Sequence, residues 1–201
     1  MYSLRIQKGR FRGKSIHPPV PVRGISNATP SLLKEAIFQI LDVRLNSDRS
    51  EWSFFDLCAG SGQMAFEALS LGYGEVHICE IEKERFASIL KDVKHNNFSV
   101  ILHRKDFIRL VPLIVQKEKS VLFLDVPYSH WIKGKSNSVD DFLKSLDRAL
   151  GEIGRDGIKS SGILCIQAEE EYFPSSDLKS FSKFLSRSYG GNFVTFLTFN
   201  S

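Results

Sequence analysis

Apolar and polar positions divide the chain into stretches that predict strands and helices in alternation. Apolar runs of strand length cover about 52–59, 75–80, 99–104, 121–126, 162–169 and 192–199. Helical spacing of apolar residues covers about 30–45, 63–72, 83–95 and 139–150, with a helix or turn near 107–117 and a short helix over about 176–186. Continuous apolar strands that alternate with amphipathic helices predict an α/β fold, with a parallel sheet covered by helices on both faces.

The beginning of the chain differs from the rest in its charge. Residues 1–34 contain seven Lys or Arg and no acid. Five of these bases crowd around Gly9 and Gly13, whose spacing predicts a hairpin or a loose pair of strands. They are Arg5, Lys8, Arg10, Arg12 and Lys14. Such a segment suits a polyanion, so we predict a basic arm over 1–29, with RNA as its partner, and a globular domain over 30–201.

Overall composition excludes several classes of protein. The chain has 201 residues, 25% of them charged, and a net charge of +4. Its apolar runs are shorter than the ~18 residues that a membrane span needs, and its first residues lack the apolar core of a secretory signal. The three cysteines lie far apart, without metal-binding spacing. We expect a cytoplasmic protein that acts as a monomer, with no membrane segment and no metal site.

A glycine-rich loop follows the first long strand. Asp56 ends that strand, and Gly60-Ser61-Gly62 precedes a helix, while Glu80 ends the next strand. Glycines let a backbone approach a ligand closely, and an acid at the second strand end binds ribose hydroxyls, so NAD and other adenosine cofactors both fit this spacing. Asp56 favours S-adenosylmethionine, because a carboxylate would repel the pyrophosphate of NAD but suits a cationic ligand.

Two further acids follow later strands. Asp106 comes after the third strand, where it is suited both to an adenine amino group and to capping the next helix. Asp125-Val126-Pro127-Tyr128 ends the fourth strand, on the edge of a parallel sheet where ligands bind. A carboxylate and a backbone carbonyl there would accept the two N–H bonds of an exocyclic amino group and orient its lone pair. Pro127 would fix the carbonyl, and Tyr128 would stack on an extruded base.

These motifs together resemble the RsmD family of bacterial 16S rRNA guanine-N2 methyltransferases. The resemblance runs nearly end to end and rests on the segments "RIQKGRFRGK", "TPSLLKEAIFQIL", "FFDLCAGSGQMAFEALSLG", "FLDVPY" and "YGGNFVTF". It implies a Rossmann-like class I methyltransferase fold with a mostly parallel, seven-stranded sheet. It also implies S-adenosylmethionine as donor, held around Ala59–Gly62, and a guanine of free rRNA or of a small-subunit particle as substrate.

Two positions depart from the family pattern. An Arg-Pro pair is missing before Thr29, and Val126 stands where the family usually has proline. Because the carbonyl rather than the ring acts on the substrate, valine can serve at that position. Three alternatives stay open: a methyltransferase acting on another RNA or DNA amino group, a non-catalytic RNA-binding module with the same fold, and an NAD-dependent enzyme, against which Asp56 is the main argument.

Overall fold

A computed structural model describes residues 3–21, 29–46, 48–126 and 138–201. The chain divides into two units, Met1–Lys105 and Asp106–Ser201. Among the described residues, no helix is both long enough and apolar enough to cross a membrane.

The first unit begins with the predicted hairpin. Strands β1, Leu4–Arg5, and β2, Ser15–Ile16, pair antiparallel. Helix α1 then covers Ser31–Arg44 and buries Leu33, Ile37 and Leu41, which recur at helical spacing. The sequence predicted a helix that begins at about residue 30. In the structure Pro30 is the residue that precedes the helix, so the start was predicted one residue early.

Three parallel strands form the sheet of the first unit, in the order β5-β4-β3. Their bounds are β3 Ser53–Asp56, β4 Glu75–Cys79 and β5 Ile101–His103. Helix α2, Gln63–Leu71, and helix α3, Lys83–Asn96, connect them as predicted. Parallel strands end at a common edge, so the residues that follow β3 and β4 lie at the same side of this sheet.

The second unit carries four strands, in the order β6-β7-β9-β8. A 3₁₀ turn and a short helix α4 come first, followed by a longer helix α5 between the first two strands. The bounds are Phe107–Leu110 for the turn, α4 Val111–Ile114, β6 Lys119–Asp125, α5 Ser138–Arg155, β7 Ser161–Ala168, β8 Phe181–Tyr189 and β9 Asn192–Asn200. Strands β6 and β7 are parallel, and β9 runs antiparallel to both its neighbours.

Strand β8 corrects the sequence prediction of a short helix over about 176–186. From Phe181 to Tyr189 the chain pairs with β9, but the register shifts between Lys183 and Leu185. That bulge disrupts the alternation of buried and exposed positions by which a strand is recognised in a sequence. The long-range pairing with β9, rather than the local pattern, therefore decides the structure of this segment.

Candidate active site

Asp56 closes the end of β3 and contacts the helix that follows. Its side chain is buried, and its Oδ2 accepts the backbone N–H of Ala65 at 3.2 Å. Ala65 lies in the first turn of α2, where backbone N–H groups lack helical partners and a negative charge is stabilised. Asp56 thus joins the strand to the helix and fixes the turn between them.

The turn between β3 and α2 depends on its two glycines. Gly60 and Gly62 have φ of 58° and 76°, values that side chains disfavour. A Cβ on Gly62 would lie 3.0 Å from the ring of Phe66, so this glycine is needed for packing. A Cβ on Gly60 would meet no atom closer than Pro19 Cβ, at 3.9 Å. The space beside the Gly60 backbone is therefore open; a ligand contact there stays a prediction.

The neighbouring loop residues are held in place by their own backbone bonds and by burial. Ala59 accepts the Gly62 N–H at 2.7 Å and donates to the carbonyl of Cys79 at 3.0 Å. Ser61 is buried. The loop is thus attached to the end of β4 and forms a rigid frame around Gly60.

Glu80 connects the glycine loop to the segment that follows β4. Its two carboxyl oxygens accept the N–H groups of Gly60 and Glu82, both at 2.8 Å. Burial raises the pKa of Glu80, and these two backbone hydrogen bonds partly oppose that rise. Each oxygen has a further lone pair, so the same carboxylate can still accept two hydroxyl groups.

Asp106 caps the 3₁₀ turn of the second unit. Its Oδ1 accepts the N–H of Ile108 at 2.9 Å, and the residue is exposed. The capping role predicted from sequence is confirmed. A contact with an adenine amino group stays a prediction.

Asp125 ends β6 in the second unit and is half-buried. Burial raises the pKa of its carboxyl from an ordinary 3.8 to about 7. Within the described parts of the chain, no group hydrogen-bonds to this carboxyl. Val126, the next residue, is buried; Pro127 and Tyr128 lie outside the described residues. The carboxyl of Asp125 is thus a hydrogen-bond acceptor at the end of a strand, and it titrates near neutral pH.

The structure adds Gln167, which sequence reasoning missed. Gln167 is the register partner of Asp125 on the adjacent parallel strand β7, and 7% of it is exposed. The available signal was a polar residue at the end of an apolar strand, the same signal that drew attention to Asp56 and Asp125.

The five bases of the arm are not equivalent. Lys8 pairs with Glu35 at 2.7 Å and lowers the pKa of that carboxyl. Lys14 donates to the carbonyl of Asn96 at 3.0 Å and lies over the ring of Phe11. The remaining bases, Arg5, Arg10 and Arg12, form no ion pair with any described residue, although Arg10 lies over the Phe11 ring. These three arginines therefore keep their charges available.

The arm is anchored to the body of α2. Glu67 is buried; its carboxylate accepts the N–H groups of Gln7 and Lys8 and pairs with Lys34 at 2.7 Å. Ser70 accepts the N–H of Phe11 at 2.8 Å. Because α2 also begins at the glycine loop, one helix supports both the predicted cofactor site and the predicted RNA-binding arm.

A family model described as "Conserved hypothetical protein 95" matches residues 4–198, nearly the whole chain. The chain belongs to this family. It is the RsmD family that the sequence motifs indicated, so that prediction is confirmed.

One curated relative is the ribosomal RNA small subunit methyltransferase D of Buchnera aphidicola. It is 26% identical over 136 residues, which cover 66% of this chain and 67% of the relative.

Many solved structures resemble the chain, and two methyltransferases are among them. A candidate methyltransferase of Escherichia coli, yhhF, has a TM-score of 0.69 at 14% identity, covering 100% of this chain and 99% of its own. The 16S rRNA N2 G1207 methyltransferase RsmC of Thermus thermophilus, solved with AdoMet and guanosine, has a TM-score of 0.62 at 15% identity, covering 97% of this chain and 49% of its own. The chain therefore has the predicted Rossmann-like class I methyltransferase fold, with a mostly parallel sheet.

Proposed function

We propose that this chain methylates the exocyclic N2 amino group of a guanine in small-subunit rRNA, with S-adenosylmethionine as the donor. The observation that carries the proposal is Asp125. It is an acceptor at the end of a parallel strand, it lacks a hydrogen-bond partner among the described residues, and its pKa lies near 7. Family membership and the rRNA methyltransferase named among the relatives support the choice of substrate.

The glycine loop and its acids would hold the donor. Glu80 would accept ribose hydroxyls, and the backbone from Ala59 through Ser61 to Gly62 would allow the close approach. The hydrogen bonds that Glu80 and Asp56 form with this loop and with α2, and the open space at Gly60, support this proposal. A carboxylate at this strand end suits a cationic ligand and disfavours a pyrophosphate, which argues against NAD. S-adenosylmethionine bound there supplies an electrophilic methyl group on a sulfonium. Asp106, beyond its capping role, is proposed as the acceptor for the adenine amino group.

The residues from Asp125 onward would act on the substrate. The ionised carboxylate would accept one N–H of the guanine amino group and the Val126 carbonyl the other, which would leave the nitrogen lone pair directed away from both acceptors and able to attack an electrophilic methyl group. Methyl transfer would replace the sulfur–carbon bond of the donor by a nitrogen–carbon bond, and the nitrogen, made positive, would then lose a proton. Asp125, with a pKa near 7, is matched to take that proton. Pro127 and Tyr128 are proposed to fix the carbonyl and to stack on the base.

The arm would hold the RNA by its phosphates. Arg5, Arg10 and Arg12 are proposed as the main contacts, because Lys8 and Lys14 have partners within the protein. The proposed substrate is free rRNA or a small-subunit particle in the cytoplasm, and the proposed acting form is a monomer.

The test is transfer of labelled methyl from S-adenosylmethionine to small-subunit particles that lack the modification, followed by nucleoside analysis. We expect N2-methylguanosine from the wild type. An Asp125→Ala variant should bind S-adenosylmethionine normally and lose about 10²–10³-fold in rate. Methyl on adenine would keep the mechanism and overturn the choice of base. Particle binding without any transfer would favour the non-catalytic RNA-binding module.

A further inference from the structure

Gln167 lies beside Asp125 at the carboxyl end of the second unit's parallel strands. The two residues are register partners on β6 and β7. Neighbouring strands run about 4.8 Å apart, and paired positions present their side chains on one face. The amide of Gln167 and the carboxyl of Asp125 are therefore adjacent on the same face of the sheet.

The amide oxygen of Gln167 is buried without a partner. The residue is 7% exposed, and its Oε1 accepts no hydrogen bond from any residue that the structure describes. On its other side the register partner is Val194, a buried apolar residue that offers no side-chain donor. Buried polar atoms in folded proteins nearly always have a partner, so an unpaired one needs an explanation.

The pair thus presents two neighbouring acceptors that lack donors within the described chain. A ligand that fits them carries two N–H groups side by side on one edge. Among bases with an exocyclic amino group, guanine alone has a ring N–H, at N1, beside that amino group. Adenine and cytosine have a ring nitrogen lone pair there instead. A second acceptor beside Asp125 would therefore attract guanine and repel the other two bases.

We propose that Gln167 Oε1 accepts the N1–H of the target guanine and so selects guanine over bases that lack this proton. The inference rests on the proposed function, which assigns Asp125 to the adjacent N2 amino group. It adds a specificity residue to that site. Gln167 contacts a part of the base that does not react, so its loss affects which base is methylated more than how methyl is transferred.

The test compares two bases at the target nucleotide. Small-subunit particles are reconstituted with guanosine or with 2-aminopurine riboside there, since 2-aminopurine keeps the amino group but has no proton on N1. Wild type should prefer guanosine by about 10- to 100-fold in kcat/KM, the loss expected when a buried acceptor is left unpaired. Gln167→Leu should reduce that preference to within about 3-fold.

The comparison separates specificity from folding and from the proposed function. Each preference is a ratio of two kcat/KM values measured on one protein, so a reduced active fraction does not change it. The two bases also differ in intrinsic reactivity, but this difference is the same for every variant and cancels when the ratios of two variants are compared. Gln167→Leu should not lower the thermal unfolding midpoint, because it removes an unpaired buried polar atom. If Asp125 alone accepted both N–H groups, Gln167→Leu would keep the full preference for guanosine, and that result would overturn the inference. Equal kcat/KM values for the two bases in a wild type that methylates guanine N2 would also overturn it. A wild type that transfers no methyl to guanine would overturn the proposed function itself.

Discussion

The carboxyl group of Asp125 titrates near neutral pH because β6 carries it into a half-buried strand end without a hydrogen-bond partner in the described chain. To accept an N–H and then a proton, this carboxyl must be ionised. Activity should therefore rise with pH through about 7 and level off above it. The measurement is kcat/KM for methyl transfer between pH 5.5 and 9. A profile that is flat across pH 7 would contradict a role for the ionised carboxylate.

The raised pKa of Asp125 also predicts that its ionised carboxyl destabilises the folded protein above about pH 7. The folded protein holds this proton up to about pH 7, whereas the unfolded chain releases it near 3.8. Asp125 therefore favours the folded state at low pH, and that contribution is lost as the pH rises through 7. Asp125→Asn does not titrate, so at pH 8 it should be more stable than wild type by about 2–4 kcal/mol. Urea unfolding should show this difference shrinking toward pH 4; a difference that does not vary with pH would contradict it.

Glu80 supports the loop as well as the proposed ribose site. Glu80→Ala should weaken S-adenosylmethionine binding by about 1–3 kcal/mol, because it removes an acceptor and also releases the Gly60 N–H. Glu80→Gln keeps one oxygen for that N–H and should lose less. Calorimetry gives the affinities, and thermal unfolding checks that both variants fold. Unchanged affinity in Glu80→Ala would remove this residue from the site.

For single residues, the sequence predicted which side chains lie at strand ends better than it predicted what surrounds those side chains. The places of Asp56, Glu80 and Asp125 at strand ends follow from local apolar runs. The raised pKa of Asp125 does not, because it depends on what surrounds the strand end. Gln167 was missed for a related reason. Only the pairing of β6 with β7, which are far apart in the sequence, brings it next to Asp125.

Among the secondary-structure elements, helix α2 follows the glycine loop and also anchors the arm. A buried ion pair connects α2 to α1. Glu67 and Lys34 have side chains that are 3% and 4% exposed, and Glu67 also holds the backbone of the arm. Glu67→Ala should destabilise the protein by about 3–5 kcal/mol, because it leaves Lys34 buried and unpaired. It should also make the arm more sensitive to protease. Lys34→Met combined with Glu67→Gln should recover most of the stability in urea unfolding; no recovery would show that the pair does not act as a unit.

Elements with a strong local period were predicted well, and those that depend on distant partners were not. Helix α5 has Val139, Phe142 and Leu146 fully buried at helical spacing, as the sequence indicated. Strand β8 was wrongly predicted as a helix, because a bulge breaks its alternation and β9 supplies its hydrogen bonds. The pairing of Lys8 with Glu35 was missed likewise, since it depends on how the arm folds back onto α1.

Across the whole molecule, the distribution of charge matters more than its total. The net charge is +4, yet the first 34 residues contain seven bases and no acid. The rest of the chain therefore has more acids than bases. RNA should accordingly be held at the arm and not by a general positive field.

Three arginines of the arm form no ion pair with any residue that the structure describes, and they give this expectation a direct test. Replacing Arg5, Arg10 and Arg12 with alanine should weaken RNA binding across sequences. It should also flatten the plot of log affinity against log salt by about one unit per lost phosphate contact.

A matched control removes three bases from α5, Lys144, Arg148 and Arg155, for the same change in net charge, and should alter the slope little. Lys8→Ala should also have a small effect, since its charge already faces Glu35. Calorimetry with S-adenosylmethionine should show unchanged binding in every variant. If the α5 control flattened the salt dependence as much as the arginine variant, net charge and not the arm would govern RNA binding.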